Sequence, residues 1–210
     1  MPLGKGANIN TKDRFRCAPL TWAAARGNES MVRLLLAKGA TVDARNNHQQ
    51  TPLGAAAAKG REGVVRILLE HGAAADPKDK NGKTPLFYAA EYRHIGVMRL
   101  LLLEQGVAVD TRNDFDMTPL SLAALGGIEQ AVELPLDQGA DIENVDKGGR
   151  TPLWLAASRG RETAARVLLD RGAAVDVKDN KGDTPLDIAR KGGNESVVKM
   201  LEVYGTTKPE

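Results

Sequence analysis

The tripeptide Thr-Pro-Leu returns along this 210-residue chain at a nearly fixed interval, with its prolines at Pro52, Pro85, Pro119, Pro152 and Pro185 and a variant, Ala18-Pro19-Leu20, ahead of them. From Pro19 onward the spacing is 33, 33, 34, 33 and 33 residues. Self-similarity at such a period marks a stacked array, in which each unit touches only its neighbours. Thr before Pro suits a helix entrance, with Thr as N-cap and Pro at the first helical position, where no amide donor is lost. A short apolar segment follows and ends near a glycine able to take a left-handed cap. A second apolar segment has helical spacing, as in Val64-Val65 and Ile67-Leu68-Leu69, and closes at His71-Gly72. The stretch Asp79-Lys80-Asn81-Gly82 reads as a turn. Each unit is therefore expected to be a turn plus an antiparallel helix pair. Such a pair cannot bury its own apolar face and must stack.

In this motif and spacing the chain resembles the ankyrin-repeat family over essentially its whole length. The resemblance implies an all-α fold: a solenoid of stacked antiparallel helix pairs joined by β-turn or hairpin loops, curved with a concave groove. One ankyrin-repeat domain over 1–210 is expected, with a partial repeat at 1–12, repeats at 13–45, 46–78, 79–112, 113–145, 146–178 and 179–205, and a tail at 206–210. Pro2-Leu3-Gly4 aligns with Pro135-Leu136-Asp137, so the chain is expected to begin inside a further repeat of a longer array. Asp187, Arg190, Lys191, Lys199 and Glu202 add charge to the last repeat and read as a C-terminal cap. Pro135 lies within a second helix and predicts that it is bent or short. The extra residue near Leu103-Glu104-Gln105 predicts a wider helix end. Arg16, Gln49 and Asp116 stand where other turns hold Gly82, Gly149 and Gly182, which predicts strain or another turn type.

Composition excludes several classes. No stretch approaches the roughly 18 to 20 uninterrupted apolar residues of a membrane span. Met1 to Gly6 is followed by Asn and Thr within the next five residues rather than an apolar core, so no signal peptide is expected. The single cysteine, Cys17, forms no internal disulfide framework and suits a reducing compartment. The triplets at Asn28 and Asn194 read as helix caps rather than glycosylation acceptors. An intracellular protein, cytoplasmic or nuclear, is expected. His48, His71 and His94 have no triad-like spacing to a nucleophile or carboxylate, and there is no Cys/His cluster for zinc. No catalytic residue, metal or cofactor is expected, and the chain is read as a non-enzyme.

Function then falls to a surface. The resemblance implies binding by the turn tips and the exposed side of the first helices. Carried over to this sequence, those positions include Phe15, Lys80, Lys83, Phe115, Met117 and Arg150 on the tips. Tyr92, Leu125 and Arg159 lie at first-helix ends, and Phe87 and Trp154 directly follow the motif. Only eight residues are aromatic, and five of them fall on these positions. Aromatics are the usual interface anchors, although Phe87 and Trp154 have a second reading as large residues partly buried between repeats. Tips and helix ends carry ten basic against three acidic residues, a net +7 within a chain of net +2, leaving −5 elsewhere. A solvated face would also carry charge, but this asymmetry favours an acidic partner.

The leading reading is a monomeric, non-catalytic protein-interaction scaffold that holds an acidic, partly apolar segment in the groove. The alternative is a recognition or regulatory module of a larger multidomain enzyme or signalling protein. Nucleic acid is disfavoured by the interleaved Asp114 and Asp183 and the small net charge, and no membrane role is expected. Stability should fall off toward the N-terminal end and around Pro135. Hydrogen exchange checks this, and uniform protection across all six repeats would contradict it.

Overall fold

The computed structural model describes residues 8–206. The helix end expected within 1–7 and the tail at 207–210 lie outside the described residues. The described residues form twelve α-helices and no strand, paired as the repeat predicts. The pairs are α1 (Pro19–Arg26) with α2 (Glu29–Ala37), α3 (Pro52–Ala57) with α4 (Glu62–Glu70), and α5 (Pro85–Glu91) with α6 (Ile95–Arg99). They continue as α7 (Pro119–Gly126) with α8 (Glu129–Asp137), α9 (Pro152–Ser158) with α10 (Glu162–Asp170), and α11 (Pro185–Lys191) with α12 (Glu195–Thr206). The chain divides into two compact units, Met1–Val107 and Ala108–Glu210. In the first, α1, α3 and α5 stack in order behind α2, α4 and α6; in the second, α7, α9 and α11 do the same with α8, α10 and α12.

Local chemistry explains each helix start. Thr51, Thr84, Thr118, Thr151 and Thr184 each accept the backbone N–H three residues on through the side-chain hydroxyl, with proline at the first helical position. Ala18 makes no such bond, so α1 alone among the first helices starts without a side-chain cap. In the last repeat Asp187 returns the favour by accepting the Thr184 N–H, closing a capping box. The Thr184 hydroxyl and amide together hold the Asp187 carboxyl below its ordinary value. A depressed carboxylate contributes stability above its unfolded pKa near 4 and loses it as the pH falls through the lower folded value.

The core follows the residue sizes. Ala24, Ala56, Ala57, Ala89 and Ala90 are buried where first helices approach in the first unit, and Ala123, Ala124, Ala156, Ala157 and Ala189 in the second. Leu35, Leu68, Leu101, Leu168 and Leu201 supply larger volume on the second helices. Side chains also reach back one repeat to the carbonyl at the end of the preceding first helix. Arg61 Nε donates to Ala25 O at 3.3 Å, Arg161 Nε to Leu125 O at 3.2 Å and Asn194 Nδ2 to Ala157 O at 2.8 Å. His94 Nε2 meets Ala58 O in the same way at 3.3 Å.

Three irregularities resolve differently. The extra residue of the third repeat becomes a π-helical turn, Leu100–Glu104, continuing α6: Leu100 to Leu102 remain buried and Leu103 is pushed outward. Pro135 does not shorten its helix, since α8 spans nine residues like α2, α4 and α10. It sits buried in the last turn, where its carbonyl accepts from Gln138 and Ala140. Arg16, Gln49 and Asp116 keep the glycine-type turn, with φ of 57°, 59° and 58°. The strain is therefore real, about 1–2 kcal/mol at each non-glycine position. Gln49→Gly should raise the denaturant midpoint, by roughly 1 kcal/mol after the entropy glycine adds to the unfolded chain. Gly182→Ala should lower it by a similar amount, because φ is +87° there and an added Cβ meets nothing within 4 Å.

Candidate functional site

The turn tips are built around one side-chain oxygen per repeat. Asp13 Oδ1 accepts the N–H groups of Phe15 and Cys17; Asn46 Oδ1 those of His48 and Gln50; Asp79 Oδ1 those of Asn81 and Lys83. Asn113, Asp146 and Asp179 repeat this for Phe115 and Met117, Gly148 and Arg150, and Lys181 and Asp183. The same residue pairs its backbone N–H with the carbonyl four residues on, closing a hairpin-like tip. Adjacent tips are tied by single main-chain bonds: Asn47 N–H to Phe15 O and Lys80 N–H to His48 O in the first unit, Lys147 N–H to Phe115 O and Asn180 N–H to Gly148 O in the second. A tip residue is thus held at its backbone while its side chain projects.

Phe15, Tyr92 and Phe115 are 49%, 53% and 63% exposed. Arg14 lies over the Phe15 ring at 4.7 Å, and Tyr92 sits beside His94 with ring centroids 6.4 Å apart. Met117 and Leu125 are half-buried and Arg159 is exposed. Two expected surface residues are instead core. Phe87 is 0% exposed and Trp154 8%, with the indole N–H given to the Asp183 carbonyl at 3.2 Å. Their position holds Thr21, Gly54 and Ser121 in other repeats, all buried, and its amide bonds to the capping threonine wherever that residue is present. The preference for small residues there was the signal that it faces a neighbouring layer. Trp22, which lies outside the expected set, is exposed and donates its indole N–H to Asp13 Oδ2 at 2.9 Å. Tyr88 does the same from the equivalent position to Asp79 at 2.6 Å; burial first, and this bond second, push its phenol up.

The cations also divide. Lys83 pairs with Glu91 at 2.8 Å, Arg150 with Asp146 at 2.6 Å and Lys191 with Asp183 at 2.6 Å. Lys83 and Arg150 thereby brace the tip and first helix, Arg150 lying 5.6 Å from the centre of the Trp154 ring. In the first unit Arg14, which is exposed, lies within the electrostatic reach of Asp13, while Arg26, Lys59 and Lys80 are exposed and form no ion pair among the described residues. In the second unit Lys147, Arg159 and Lys181 are in that state, alongside Asp114.

Other chemistry is sparse. Burial pushes the Cys17 thiol above its ordinary value, the opposite of an activated nucleophile. His71 bonds its Nδ1 to Ile67 O at 2.8 Å and His94 is engaged as above. Among the described residues no group of three His, Cys, Asp or Glu side chains is placed to hold a metal, and no helix is long and apolar enough to cross a membrane. Phe87→Ala should cost about 3–5 kcal/mol in a denaturation curve, as for a buried aromatic. Tyr92→Ala and Phe115→Ala should each stay within about 0.5 kcal/mol of the parent.

A family profile described as ankyrin repeats (3 copies) matches residues 2–79, 45–113, 72–146 and 120–207. No curated protein matches the chain. Among solved structures it is similar to the human ASB11 ankyrin repeat domain, with a TM-score of 0.87, 28% identity and coverage of 98% of this chain and 90% of that one. It is similar to the ankyrin repeat domain of Bcl-3, a member of the IkappaB protein family, with a TM-score of 0.78, 32% identity and coverage of 90% and 86%. An ankyrin repeat domain from Acinetobacter baumannii AYE gives a TM-score of 0.79, 28% identity and coverage of 89% and 97%.

Proposed function

Since this chain belongs to the ankyrin-repeat family, whose domains are generally protein–protein interaction modules, we propose that it is a non-catalytic, intracellular scaffold for an acidic, partly apolar protein segment. The segment lies along the turn tips and first-helix ends. One observation carries this reading: Phe15 and Tyr92 are exposed in the same unit as Arg26, Lys59 and Lys80, three exposed cations that form no ion pair among the described residues. Exposed rings supply desolvation area, and unneutralised cations supply long-range attraction and register. Within the second unit, Phe115, Met117, Leu125 and Arg159 offer contacts of the same kind. Lys83, Arg150, Phe87 and Trp154 support the surface from beneath.

Random peptides displayed against the whole chain test this. The enriched peptides should be acidic with at least one large apolar residue. Their affinity should fall about tenfold, or roughly 1.4 kcal/mol, with Tyr92→Ala or Lys80→Glu, and should weaken as salt rises. Enrichment of basic or neutral peptides, or affinity indifferent to both substitutions, would overturn the assignment.

A further inference from the structure

The ends of the first helices form a ruler in the first unit. Arg26, Lys59 and Tyr92 occupy the same place at the ends of α1, α3 and α5, and all three are exposed. Each directly precedes a residue in the left-handed conformation, Gly27, Gly60 or Arg93, with φ of 77°, 64° and 64°. The chain therefore leaves the three helices alike and presents the three positions alike. In the second unit the same place holds Gly126, Arg159 and Gly192, so no such file of side chains exists there.

The spacing of the file is fixed by braces from the following repeat. Arg61 Nε donates to Ala25 O, the carbonyl just before Arg26, and His94 Nε2 meets Ala58 O, the carbonyl just before Lys59. A Cβ on Gly27 would lie 2.8 Å from the Arg61 side chain, and one on Gly60 2.5 Å from the His94 ring, so both glycines also leave room for the braces. Arg26 and Lys59 form no ion pair among the described residues, while Glu91, next to Tyr92 in sequence, is held by Lys83 at 2.8 Å. Two cations and a ring are thus left to meet a partner, one from each layer.

Stacked helices lie about 8–10 Å apart. An extended chain advances roughly 3.3 Å per residue, and a polyproline-type helix completes its three-residue turn in about 9 Å. Every third residue of such a chain falls opposite a new layer. An α-helix laid across the same layers, rising about 1.5 Å per residue, would need roughly six or seven residues for each. It would also need a continuous apolar face to offset its ordering, and this file offers a single ring. We infer that the bound segment is extended and is read at every third residue. One carboxylate lies opposite Arg26, a second three residues on opposite Lys59, and a large apolar side chain three further on against Tyr92. This rests on the partner class proposed above and adds a register to it.

The test uses the whole chain and synthetic heptapeptides with Glu at the first and fourth positions and Leu at the seventh, in a Pro/Ser background, together with the reversed order. Fluorescence anisotropy should give one of the two at least tenfold higher affinity than peptides of the same composition spaced by two or four residues, and than a helix-forming peptide spaced by seven. Lys59→Glu should weaken that peptide about tenfold. Lys in place of the central Glu should restore the loss, whereas Lys in place of the terminal Glu should not. Equal affinity for every spacing, preference for seven, restoration by the terminal position, or no binding by any spaced peptide overturns the register. If acidic peptides are still preferred and still weaken with Lys80→Glu, the partner class stands and the register alone falls. Indifference to acidic residues and to Lys80→Glu removes both.

Discussion

Each repeat depends on a single side-chain oxygen. A turn that projects from a stack cannot satisfy its own amides by helix or sheet, and unpaired amides beneath a partner are costly. The Oδ1 of Asp13, Asn46, Asp79, Asn113, Asp146 or Asp179 takes two of them at once. That closure sets where the following Thr-Pro enters its helix, which sets which face of the first helix meets its neighbour. The layered packing is downstream of this one polar contact. It also explains why amide and carboxylate residues alternate freely there: the site uses the oxygen, and the charge is incidental to the fold.

The freedom in charge has a further effect. Because the tip oxygen is consumed internally, the charge a partner meets is set by neighbouring residues. Some of these are spent in turn, as Lys83 is on Glu91 and Arg150 on Asp146. A count of lysines and arginines by position therefore overstates the field at the surface. What remains is fewer cations at higher exposure, and those are less constrained by the fold and more able to diverge between relatives.

Much of this was legible in the sequence because the repeat is a physical unit rather than a pattern of letters. The threonine cap, the proline start and the glycine stop each act within a few residues, and local chemistry is what a sequence displays. The π-helical turn was legible as a spacing of 34 among 33s. Phe87 and Trp154 were harder, because their burial depends on the next layer rather than on their own helix; only the small residues at the same place in other repeats report it. Pro135 is a different case: α8 keeps nine residues around it, so the shortened helix that the sequence allowed is not formed. The ion pairs of Lys83 with Glu91 and of Arg150 with Asp146 were not read from the sequence, since which rotamer each cation takes is not written in it.

The tied backbone of the tips bears on the thermodynamics of association. When a flexible loop closes on a partner, much of the contact energy is consumed in ordering the loop itself. The Phe115 turn has little left to order: its own amide, that of Met117 and its carbonyl are already engaged. Only the rotation of the ring about its side-chain bonds remains to be lost. A segment bound as proposed above would therefore need few contacts to form a definite complex at this turn, and competition between segments would be decided by how fast each one leaves.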